Sequence, residues 1–409
     1  MSTVTIQPGR LSGRILVPPS KSAAHRAVIC SALAGAASPF KPGEALSDDI
    51  QATTRAMQSI QQYREGTLEI DCGESGSTLR FLIPIVAALG IPAEFIGHGR
   101  LPERPIGLYC KILPKHGVSV TTGGGLPLSV SGQLTPGTFT VPGNISSQYI
   151  TGLLLALPLL NRDSELVLSS PLESAGYVEM TLEIMCDFGV TAEKTAHGWH
   201  IAGGQSYHAG AYIIERDWSQ AAFFLSAGAL GGDLLLDGLN QNSAQGDRAA
   251  EELFRAFGAN TEWRGGTLAV SPGNLKGIEI DAAQIPDLVP TLAATAALCR
   301  GQTRIYNAQR LRIKESDRLA AMADGLNRLG GNVQETPDGL LIDGVPQFHG
   351  GTVQGYSDHR IVMALSVGAL CASGTVTVTD ARSIRKSYPA FFADFNMLGG
   401  NADVVGMGR

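Results

Sequence analysis

Amphipathic helix patterns that end in a glycine and continue into a short strand recur along this chain. The glycines of the five clearest examples are Gly117, Gly189, Gly258, Gly330 and Gly399, which lie 72, 69, 72 and 69 residues apart. A glycine just past a helix readily adopts the left-handed conformation that ends the helix. The nearly constant spacing therefore predicts a repeated α/β unit of about 70 residues, which is too long for the common solenoid repeats.

A sixth unit is expected before the first of these glycines. Asp48–Tyr63 has the spacing of an amphipathic helix and Thr67–Ile70 follows as a strand, but the terminal glycine is missing and the unit is shortened. Further strands are predicted at Glu165–Leu168, Thr303–Tyr306, Leu340–Ile342 and Thr375–Thr379. Six units suggest two α/β domains of three units each. Any α/β protein alternates helices, glycines and strands, but the regular spacing argues against that simpler explanation.

The composition narrows the class of protein. The chain is 44% hydrophobic and 17% charged, so it can bury large cores, and its 50 glycines beside few aromatic residues suit an α/β protein with many turns. The net charge of −6 argues against a general DNA or RNA partner. Cationic residues nevertheless concentrate in motifs punctuated by glycine, serine and proline. An acidic protein with such motifs is typical of an enzyme that acts on a small polyanion.

Cysteine usage and the apolar runs indicate a soluble, cytoplasmic protein. The six cysteines form no Cys-x-x-Cys motif and are interpreted as buried free thiols in a reducing compartment. They are Cys30, Cys72, Cys110, Cys186, Cys299 and Cys371. The N-terminus has no basic-then-apolar signal peptide. The longest apolar runs, Phe81–Ile91 and Tyr149–Leu160, contain proline and are too short to span a bilayer.

Pro18–Arg26 is the strongest candidate for an anion-binding segment. Its two prolines stiffen an extended approach, after which Ser20, Lys21 and Ser22 offer a cation between two hydroxyls. An apolar run with helical spacing follows, which places Arg26 in the first turns of a helix. Cations and free amides at a helix start attract anions. A solvated turn before an ordinary helix is the alternative, and further clusters of the same kind argue for function.

Other polar clusters have similar residue types, and all but the rigid, proline-containing loop Arg100–Pro105 precede a predicted helix. They are Gly73–Arg80, Arg100–Pro105, Ser146–Tyr149, Ile285–Pro290, Arg312–Arg318, Ser357–Arg360 and Ile384–Pro389. Taken singly, each has an ordinary explanation, such as a structural glycine turn, solvated arginines, an N-cap serine or an Asp287 cap. The first is neither a P-loop nor a dinucleotide fingerprint. Together they place cations at many helix starts, as a polyanion site requires, with Asp287 and Glu315 as candidates for moving protons.

The sequence predicts neither a metal site nor a nucleophilic triad. His197, His200 and His208 lie in a glycine-rich stretch that we interpret as a surface hairpin, since no acidic residue stands at a spacing typical of a zinc site. No Ser-His-Asp or Cys-His arrangement is recognisable. We therefore expect no bound metal.

The ordered motifs, from Ser20-Lys21-Ser22 to Lys386-Ser387-Tyr388-Pro389, resemble those of the 5-enolpyruvylshikimate-3-phosphate (EPSP) synthase family over essentially the whole chain. The resemblance implies a two-domain inside-out α/β barrel in which each domain has three βαβαββ repeats, six in all. It implies a lower domain of residues 1–19 and 216–409, and an upper domain of residues 20–215 whose first repeat is shortened. The crossings would lie near residues 19–21 and 215–217.

The implied reaction transfers the enolpyruvyl group of phosphoenolpyruvate to the 5-hydroxyl of shikimate-3-phosphate and releases phosphate through a tetrahedral intermediate. It is a step of the shikimate pathway to chorismate and the aromatic amino acids, and the family is the target of glyphosate. The resemblance implies a monomer with no metal, no organic cofactor and no nucleic-acid or membrane partner. Two substrates bring two carboxylates and two phosphates, which explains the many arginines and lysines.

Residue roles follow from the resemblance motif by motif. Shikimate-3-phosphate is expected to contact Lys21, Ser22, Arg26, Ser146, Ser147, Gln148, Ser174, Tyr177, Asp287, Arg310 and Lys314. Phosphoenolpyruvate is expected to contact Lys21, Gly76, Arg104, Gln148, Arg318, Arg360 and Lys386. The expected catalytic residues are Lys21, Asp287, Glu315 and Lys386. Asp287 would activate the 5-hydroxyl, and Glu315 would protonate the methylene carbon with Lys21 or Lys386 nearby.

A few residues depart from the usual pattern of the family. Many members read Gly-Asn-Ala-Gly-Thr-x-x-Arg-Pro where this chain has Glu74, Ser77 and Phe81, and asparagine is frequent at the position of Arg310. We expect the charge of Glu74 to weaken phosphoenolpyruvate binding unless an arginine pairs with it. Phe81 replaces a proline expected at a helix start. These differences leave glyphosate sensitivity open.

Two other functions compete with this one. The related enolpyruvyl transferases that act on UDP-N-acetylglucosamine typically have Lys-Asn in the first motif and a reactive cysteine in a Pro/Arg-rich loop. This chain instead has Lys21-Ser22 and the cysteine-free loop Arg100–Pro105. The second alternative is a non-catalytic anion-binding scaffold, which would have no use for the carboxylates of Asp287 and Glu315.

Overall fold

The computed structural model describes residues 2–41, 44–210 and 212–406. The chain divides into two compact units: a discontinuous unit of residues 1–20 and 215–409, and an inserted unit of residues 21–214. Each unit buries its own apolar cluster. In the discontinuous unit, the two boundary segments run side by side. The Ser20 amide donates to the Glu215 carbonyl (2.8 Å), and the Asp217 amide donates to the Pro18 carbonyl (2.9 Å).

Twenty strands and twelve α-helices lie within the described residues. The strands are β1 (Thr3–Ile6), β2 (Ser12–Leu16), β3 (Leu68–Asp71), β4 (Ala93–Ile96), β5 (Val118–Thr122), β6 (Leu128–Gly132), β7 (Thr138–Val141), β8 (Ser164–Leu168), β9 (Glu193–Thr195), β10 (Gly198–Ile201), β11 (Asp233–Asp237), β12 (Asn260–Arg264), β13 (Thr267–Ser271), β14 (Glu279–Asp281), β15 (Gln302–Tyr306), β16 (Asn332–Thr336), β17 (Gly339–Asp343), β18 (Gly351–Val353), β19 (Val376–Thr379) and β20 (Ala402–Val405). The helices are α1 (Lys21–Leu33), α2 (Asp48–Gln62), α3 (Gly76–Leu89), α4 (Gly107–Ile112), α5 (Ser147–Ala156), α6 (Ala175–Asp187), α7 (Trp218–Ala229), α8 (Ala249–Phe257), α9 (Val289–Ala296), α10 (Arg318–Arg328), α11 (His359–Gly368) and α12 (Phe391–Met397).

The strands of the described residues form five four-stranded sheets of one topology. In each sheet two parallel strands lie side by side, connected along the chain by a helix or, for β2 and β11, by the inserted unit and α7. An antiparallel pair completes the sheet beside the second strand, as in the order β3-β4-β6-β5. The other orders are β7-β8-β10-β9, β12-β13-β11-β2, β14-β15-β17-β16 and β18-β19-β1-β20. The N-terminal strand β1 thus completes the sheet of the last repeat. This arrangement confirms the βαβαββ repeat that the family resemblance implies.

The sixth repeat, which comes before the other repeats of the inserted unit in the sequence, is shortened to the helices α1 and α2. The described residues between Lys21 and Gln62 contain no strand. The predicted strand at Thr67–Ile70 exists as β3, but it pairs with β4 of the next repeat, so its assignment to the sixth unit was wrong. The segment 34–47 that joins the two helices has two prolines and no β-branched residue. Such a composition disfavours a strand.

Three helices of the discontinuous unit are buried on all sides, and α3 and α5 of the inserted unit are nearly so. Every residue of α7, α9 and α11 is buried, and the three helices pack on one another. The strands are half buried: Leu234 and Leu236 of β11 are buried, whereas their neighbours are more exposed. A helix that is buried all round belongs to an interior, and an alternating strand belongs to an outer layer. Each unit is therefore an inside-out α/β arrangement.

The five repeat glycines end their helices as predicted. All have positive φ, from 78° at Gly189 to 110° at Gly258. No helix in the described part of the chain combines the length and the apolar character needed to cross a bilayer.

The prediction that all six cysteines are buried was wrong. Cys30, Cys72 and Cys299 are buried, whereas Cys110 and Cys371 are partly exposed and Cys186 is exposed. Cys186 lies on α6 after the buried pair Ile184 and Met185, so the helix turns it toward solvent.

Candidate active site

Arg318 lies at the centre of a carboxylate cluster in the discontinuous unit. It is the first residue of α10 and its side chain is 1% exposed. The guanidinium donates to Asp287 Oδ1 (2.9 Å), Glu315 Oε2 (2.8 Å) and Asp358 Oδ2 (2.9 Å). Burial would lower the pKa of Arg318, but the three carboxylates raise it. A planar cation with five N–H donors is suited to hold several carboxylates in fixed positions.

Asp287 is held by cations from several directions. Besides Arg318, its carboxylate accepts from Arg360 Nη2 (3.2 Å), and Lys314 Nζ lies 3.7 Å from Oδ1. Arg360 Nη1 also donates to the Asp287 carbonyl (3.0 Å). Burial would raise the pKa of the carboxyl, but Arg360, Lys314 and Arg318 hold this pKa well below its ordinary value. Asp287 is therefore an ionised carboxylate that can accept a proton.

Asp358, and not Asp287, is a helix cap in this cluster. Asp358 Oδ1 accepts from the Arg360 amide at the start of α11 (2.9 Å), and its Oδ2 receives the Ser316 hydroxyl (3.0 Å). The cap position of α9 is occupied by Leu288. The alternative that Asp287 serves as a cap is therefore wrong, and a single residue of the motif Ser357–Arg360 both caps α11 and orients Arg318.

Ser219 and Asp247 support Arg360 from the other side. Arg360 Nη2 donates to Ser219 Oγ (3.0 Å), and the Ser219 hydroxyl donates to Asp247 Oδ2 (2.6 Å). Burial and the nearby charge of Asp287 raise the pKa of Asp247 to about 6. The position of Arg360 is thus fixed by two hydrogen-bonded acids, one direct and one through a hydroxyl.

Lys386 lies beside the start of α11. It ends the short 3-10 helix Ala381–Lys386, is 8% exposed, and donates from Nζ to the Ser357 carbonyl (2.8 Å). Tyr356 and Ser357 both have positive φ, 53° and 51°. Such a conformation is unfavourable for residues with side chains. The strained turn directs the Ser357 carbonyl at the lysine and so sets the position of its ammonium group.

The charged segment before α10 divides between the cluster and the surface. Lys314, Glu315 and Arg318 belong to the cluster around Asp287. Arg312 instead donates to Asp317 (3.0 Å) and Glu335 (2.9 Å). Arg310 donates to the Ala283 carbonyl (2.7 Å). Five charges that are adjacent in sequence therefore do not form one site.

In the inserted unit, Lys21 begins α1 and forms an ion pair with the start of α2. Lys21 Nζ lies 2.8 Å from Asp49 Oδ2, and the lysine side chain is 16% exposed. Partial exposure leaves the ammonium group accessible to an anion while Asp49 fixes its direction.

Arg26 is buried and ties α1 to α5 and α6. Its guanidinium donates to the Ser22 carbonyl (2.6 Å), the Tyr177 carbonyl (2.9 Å) and the hydroxyls of Thr181 (2.7 Å) and Thr151 (3.2 Å). Burial lowers its pKa to about 10, so it stays cationic at neutral pH. Four of its five N–H groups thus donate to partners in the described chain, and they bring Ser22 and Tyr177 to the same place.

Gly76 begins α3 directly beneath two arginines. A Cβ atom at this residue would lie 2.5 Å from Arg104 Nη1 and 2.9 Å from Arg80 Nη1. Arg80 Nη1 donates to Gln148 Oε1 (2.7 Å), and Gln148 Nε2 donates to Ser77 Oγ (3.0 Å). Two guanidinium groups close to the free amides of a helix start favour an anion. The absence of a side chain at Gly76 is what allows this approach.

The predicted serines lie at two further helix starts. Ser146 caps α5, where its hydroxyl accepts from the Gln148 amide (3.3 Å), as the structural explanation of that motif predicted. Ser147 is the first residue of the helix and is buried. Ser174 precedes α6 in a left-handed conformation with φ 56°, so α6 starts abruptly there.

A family profile described as EPSP synthase (3-phosphoshikimate 1-carboxyvinyltransferase) matches residues 6–395. The chain belongs to this family. It is 40% identical to the 3-phosphoshikimate 1-carboxyvinyltransferase of Clostridium novyi (strain NT) over the whole of both chains, and 41% identical to that of Clostridioides difficile (strain 630), again over both whole chains. The solved structure of EPSP synthase from Acinetobacter baumannii has a TM-score of 0.80 and 26% identity, covering 99% of this chain and 100% of that one.

Three departures from the EPSP synthase pattern, Glu74, Ser77 and Phe81, lie in or just before α3, and the fourth, Arg310, lies before α10 in the discontinuous unit. The Glu74 carboxylate occupies the space where a Cβ of Gly99 would lie. Phe81 is in the second turn of α3, so the expectation that it stands at a helix start was wrong, because the helix already begins at Gly76. The Phe81 ring is buried and lies 5.2 Å from the Arg26 guanidinium carbon, in a cation–π contact. The predicted effect of Glu74 on phosphoenolpyruvate binding stays a prediction.

The histidine-rich stretch forms the predicted hairpin of β9 and β10, with His197 in its turn. His200 Nδ1 lies 2.7 Å from Glu165 Oε1 on β8, an acidic partner that the sequence spacing did not indicate. Within the residues described, no group of three or more His, Cys, Asp or Glu side chains is arranged to hold a metal ion.

Sequence reasoning missed Asp49, Ser219 and Asp247. One signal points to them: the starts of the two helices of a repeat lie 27–32 residues apart, and residues 28 positions apart meet near these starts. Lys21 and Asp49 have this separation, as do Ser219 and Asp247. Asp287 and Glu315 have it too, and both bond to Arg318. The separation of the two helix starts within a repeat therefore indicates which side chains meet there.

Proposed function

We propose that this chain transfers the enolpyruvyl group of phosphoenolpyruvate to the 5-hydroxyl of shikimate-3-phosphate and releases phosphate. The observation that supports it most is the ionised carboxylate of Asp287 among the cations Arg318, Arg360 and Lys314, with Glu315 on the same arginine. A scaffold that only binds anions would gain nothing from buried acids at this place. A transferase that moves two protons needs them.

In the proposed reaction, Asp287 accepts the proton of the 5-hydroxyl as its oxygen attacks C2 of phosphoenolpyruvate. C3 receives a proton from Glu315, with Lys386 or Lys21 as the neighbouring cation, and a tetrahedral intermediate results. Loss of phosphate from C2 and return of the C3 proton to the acid give the enolpyruvyl ether. The low pKa of Asp287 suits a group that must be ionised when substrate arrives.

The cations and hydroxyls are proposed to bind the anionic groups of the substrates. For shikimate-3-phosphate we propose Lys21, Ser22, Arg26, Ser146, Ser147, Gln148, Ser174, Tyr177, Asp287, Arg310 and Lys314. For phosphoenolpyruvate we propose Lys21, Gly76, Arg104, Gln148, Arg318, Arg360 and Lys386. The internal bonds of Arg26 leave one N–H for a substrate, so its main proposed effect is to hold the Ser22 and Tyr177 backbone in place.

We further propose that the enzyme works in the cytoplasm as a monomer and without a metal or organic cofactor. The chemistry supports the last point, since the proposed cations supply the charge stabilisation that a metal ion would otherwise give.

The test is to mix the purified enzyme with both substrates and to follow phosphate release, with and without EDTA. Release that requires both substrates and is unaffected by EDTA would support the proposed reaction and its independence of a metal. Release with UDP-N-acetylglucosamine in place of shikimate-3-phosphate would assign the chain to the sister activity instead. Binding of both substrates without turnover would support the scaffold.

A further inference from the structure

A buried chain of hydrogen bonds joins three helices of the inserted unit. His25 Nδ1 of α1 lies 2.7 Å from Thr53 Oγ1 of α2, which lies 2.7 Å from Thr78 Oγ1 of α3. Thr78 Oγ1 lies 2.7 Å from Ser75 Oγ, the cap of α3. All four residues are at most 1% exposed. Four polar side chains in an apolar interior are costly unless each is hydrogen-bonded, so their alignment is a built feature.

Counting hydrogen atoms gives the chain a direction. Thr78 donates its one hydroxyl hydrogen to Ser75, so it accepts from Thr53. The Thr53 hydroxyl, which also lies 3.4 Å from the Asp49 carbonyl, has one hydrogen to give to either of these acceptors, so it accepts from His25. The proton of the neutral imidazole therefore lies on Nδ1. A neutral histidine with this tautomer leaves Nε2 as an acceptor.

The surroundings of His25 favour this neutral form. Burial, Lys21 and Arg26 all lower its pKa well below the ordinary value. Its Nε2 atom is buried and has no hydrogen-bond partner in the described chain. A second proton on the ring would thus be buried without an acceptor.

The chain ends at the start of the helix that carries the proposed phosphoenolpyruvate site. Ser75 Oγ accepts both the Thr78 hydroxyl and the Thr78 amide (3.1 Å), and Gly76 follows it beneath two arginines. At the other end, His25 lies one helical turn after Lys21 on α1, and Thr53 lies one turn after Asp49 on α2. The Lys21–Asp49 ion pair and the His25–Thr53 bond are therefore successive contacts between the same two helices.

We propose that His25 is a positioning residue for the reaction, which acts through Thr53 and Thr78 to fix the start of α3 relative to Lys21. The inference rests on the proposed function, because it concerns where the phosphoenolpyruvate site lies relative to the lysine that touches both substrates. None of the three residues contacts substrate in this proposal. Their effect is to keep Gly76 and its amides in register with the ammonium group of Lys21.

The test compares two replacements of the middle residue. Thr53→Val keeps the shape and removes the hydroxyl, whereas Thr53→Ser keeps the hydroxyl. Thr53→Val removes the hydrogen bonds to both His25 and Thr78, and we expect it to raise the KM for phosphoenolpyruvate roughly tenfold and to leave the KM for shikimate-3-phosphate within about twofold. Thr53→Ser should restore wild-type values within about twofold. Thr78→Val and Thr78→Ser form a second pair with the same expectation, should the first valine variant fail to fold.

A second readout follows the imidazole itself. The ¹⁵N chemical shifts of His25 should show a protonated Nδ1 and a bare Nε2 in the wild type and in Thr53→Ser, and a changed tautomer distribution in Thr53→Val. A merely structural role would lower the melting temperature without changing the ratio of the two KM values, and that result would overturn the proposal. An Nε2-protonated ring in the wild type would overturn it as well.

The controls separate this inference from the proposed function. Wild-type enzyme that releases no phosphate from the two substrates contradicts the proposed function, and the positioning role falls with it. Wild-type turnover with equal KM values in Thr53→Val and Thr53→Ser leaves the function standing and contradicts the positioning role alone.

Discussion

The buried arginines of the two units are held in different ways. In the discontinuous unit, Arg318 and Arg360 are bonded to carboxylates, and Asp287 is shared between them. In the inserted unit, Arg26 donates to carbonyls and hydroxyls, and Arg80 donates to Gln148 and to the Pro105 carbonyl. Arginines of the first kind are bonded to acids, and arginines of the second kind are bonded to neutral groups.

This difference suggests a division of labour. Removing one partner of a buried ion pair costs about 3–5 kcal/mol, whereas losing a hydrogen bond between a charged and a neutral group costs about 1.5–3 kcal/mol. The acid–arginine network should therefore govern proton transfer and be sensitive to charge removal. The inserted unit, whose buried arginines Arg26 and Arg80 are bonded to neutral groups, should govern the affinity for the anionic substrates.

The largest effect is expected when the shared acid loses its charge. Asp287→Asn keeps the shape of the side chain but removes the proposed proton acceptor. We expect kcat to fall by about 10²- to 10⁴-fold, the usual contribution of a general base, with a smaller change in either KM. Phosphate release at saturating substrate measures it.

The matched control for this variant is Asp343→Asn on β17, whose carboxylate bonds to exposed Gln302 and Asn332. It should keep wild-type turnover. If the kcat of Asp287→Asn stayed within about fivefold of the wild-type value, Asp287 would not be the base, and the contrast between the arginines of the two units would be wrong as well.

A smaller effect, confined to affinity, is expected at the start of α3. In Gly76→Ala the new methyl group must displace the guanidinium groups of Arg104 and Arg80, which would lie 2.5 and 2.9 Å from it. We expect the KM for phosphoenolpyruvate to rise about 10- to 100-fold, as loss of a charged hydrogen bond implies, while the KM for shikimate-3-phosphate changes little.

Gly107→Ala is the control for this substitution, because it also places an alanine in the first turn of a helix but has open space around the new Cβ. It should be silent. A Gly76→Ala enzyme that lost kcat with unchanged KM values would show that the inserted unit acts in the chemical step, against the proposed division.

Features of the fold could be predicted from the sequence where their signal lies within a few neighbouring residues. The repeat was predicted because a glycine that ends a helix is recognisable within a few residues. The strand at Thr67–Ile70 was placed in the wrong repeat because strand pairing joins residues far apart, and β3 pairs with β4 across α3.

The same reason explains the residues of the site. Lys21, Asp287 and Arg318 were predicted because they stand in conspicuous motifs before helices. Asp49 and Asp247 were missed because their sequence neighbours are ordinary, and they gain a role only through a helix start 28 residues earlier. The hydrogen bonds of Arg26 to residues of α5 and α6 could not be predicted either, because they depend on how these two helices pack around its side chain.

A stability effect of a few degrees is expected from Asp247, the second acid behind Arg360. Its folded-state pKa is raised from 3.8 to about 6, so between these values the folded chain binds more protons than the unfolded chain. Stability from this group therefore falls as pH rises from about 4 to 6 and stays low above that range. Asp247→Asn, which can still accept the Ser219 hydroxyl, should melt higher than wild type at neutral pH.

The test of this sign is the difference in melting temperature between Asp247→Asn and wild type as a function of pH. The difference should increase in favour of the variant through the window from about pH 4 to 6. A melting-temperature difference that is constant across the window would mean that the pKa of Asp247 is not raised and that its carboxyl group, like that of Asp287, is ionised in the folded protein.

The smallest effect separates the two parts of the charged segment before α10. Arg312 is 30% exposed and bonds to surface acids, whereas Lys314 Nζ lies 3.7 Å from Asp287. Arg312→Gln should cost at most about 1 kcal/mol of stability, as surface ion pairs usually do, and should leave both KM values unchanged.

Lys314→Gln is the matched change two residues away, and it should raise the KM for shikimate-3-phosphate several-fold because it removes a cation beside Asp287. Two substitutions of the same kind, in one short segment, would then differ only in which way the backbone turns the side chain. If both substitutions raised the KM for shikimate-3-phosphate equally, the segment would act through its total charge. The contrast between arginines bonded to acids and arginines bonded to neutral groups would then not explain the site. If Lys314→Gln alone did so, the effect would belong to the contact with Asp287, and the segment's other charges would be part of the fold.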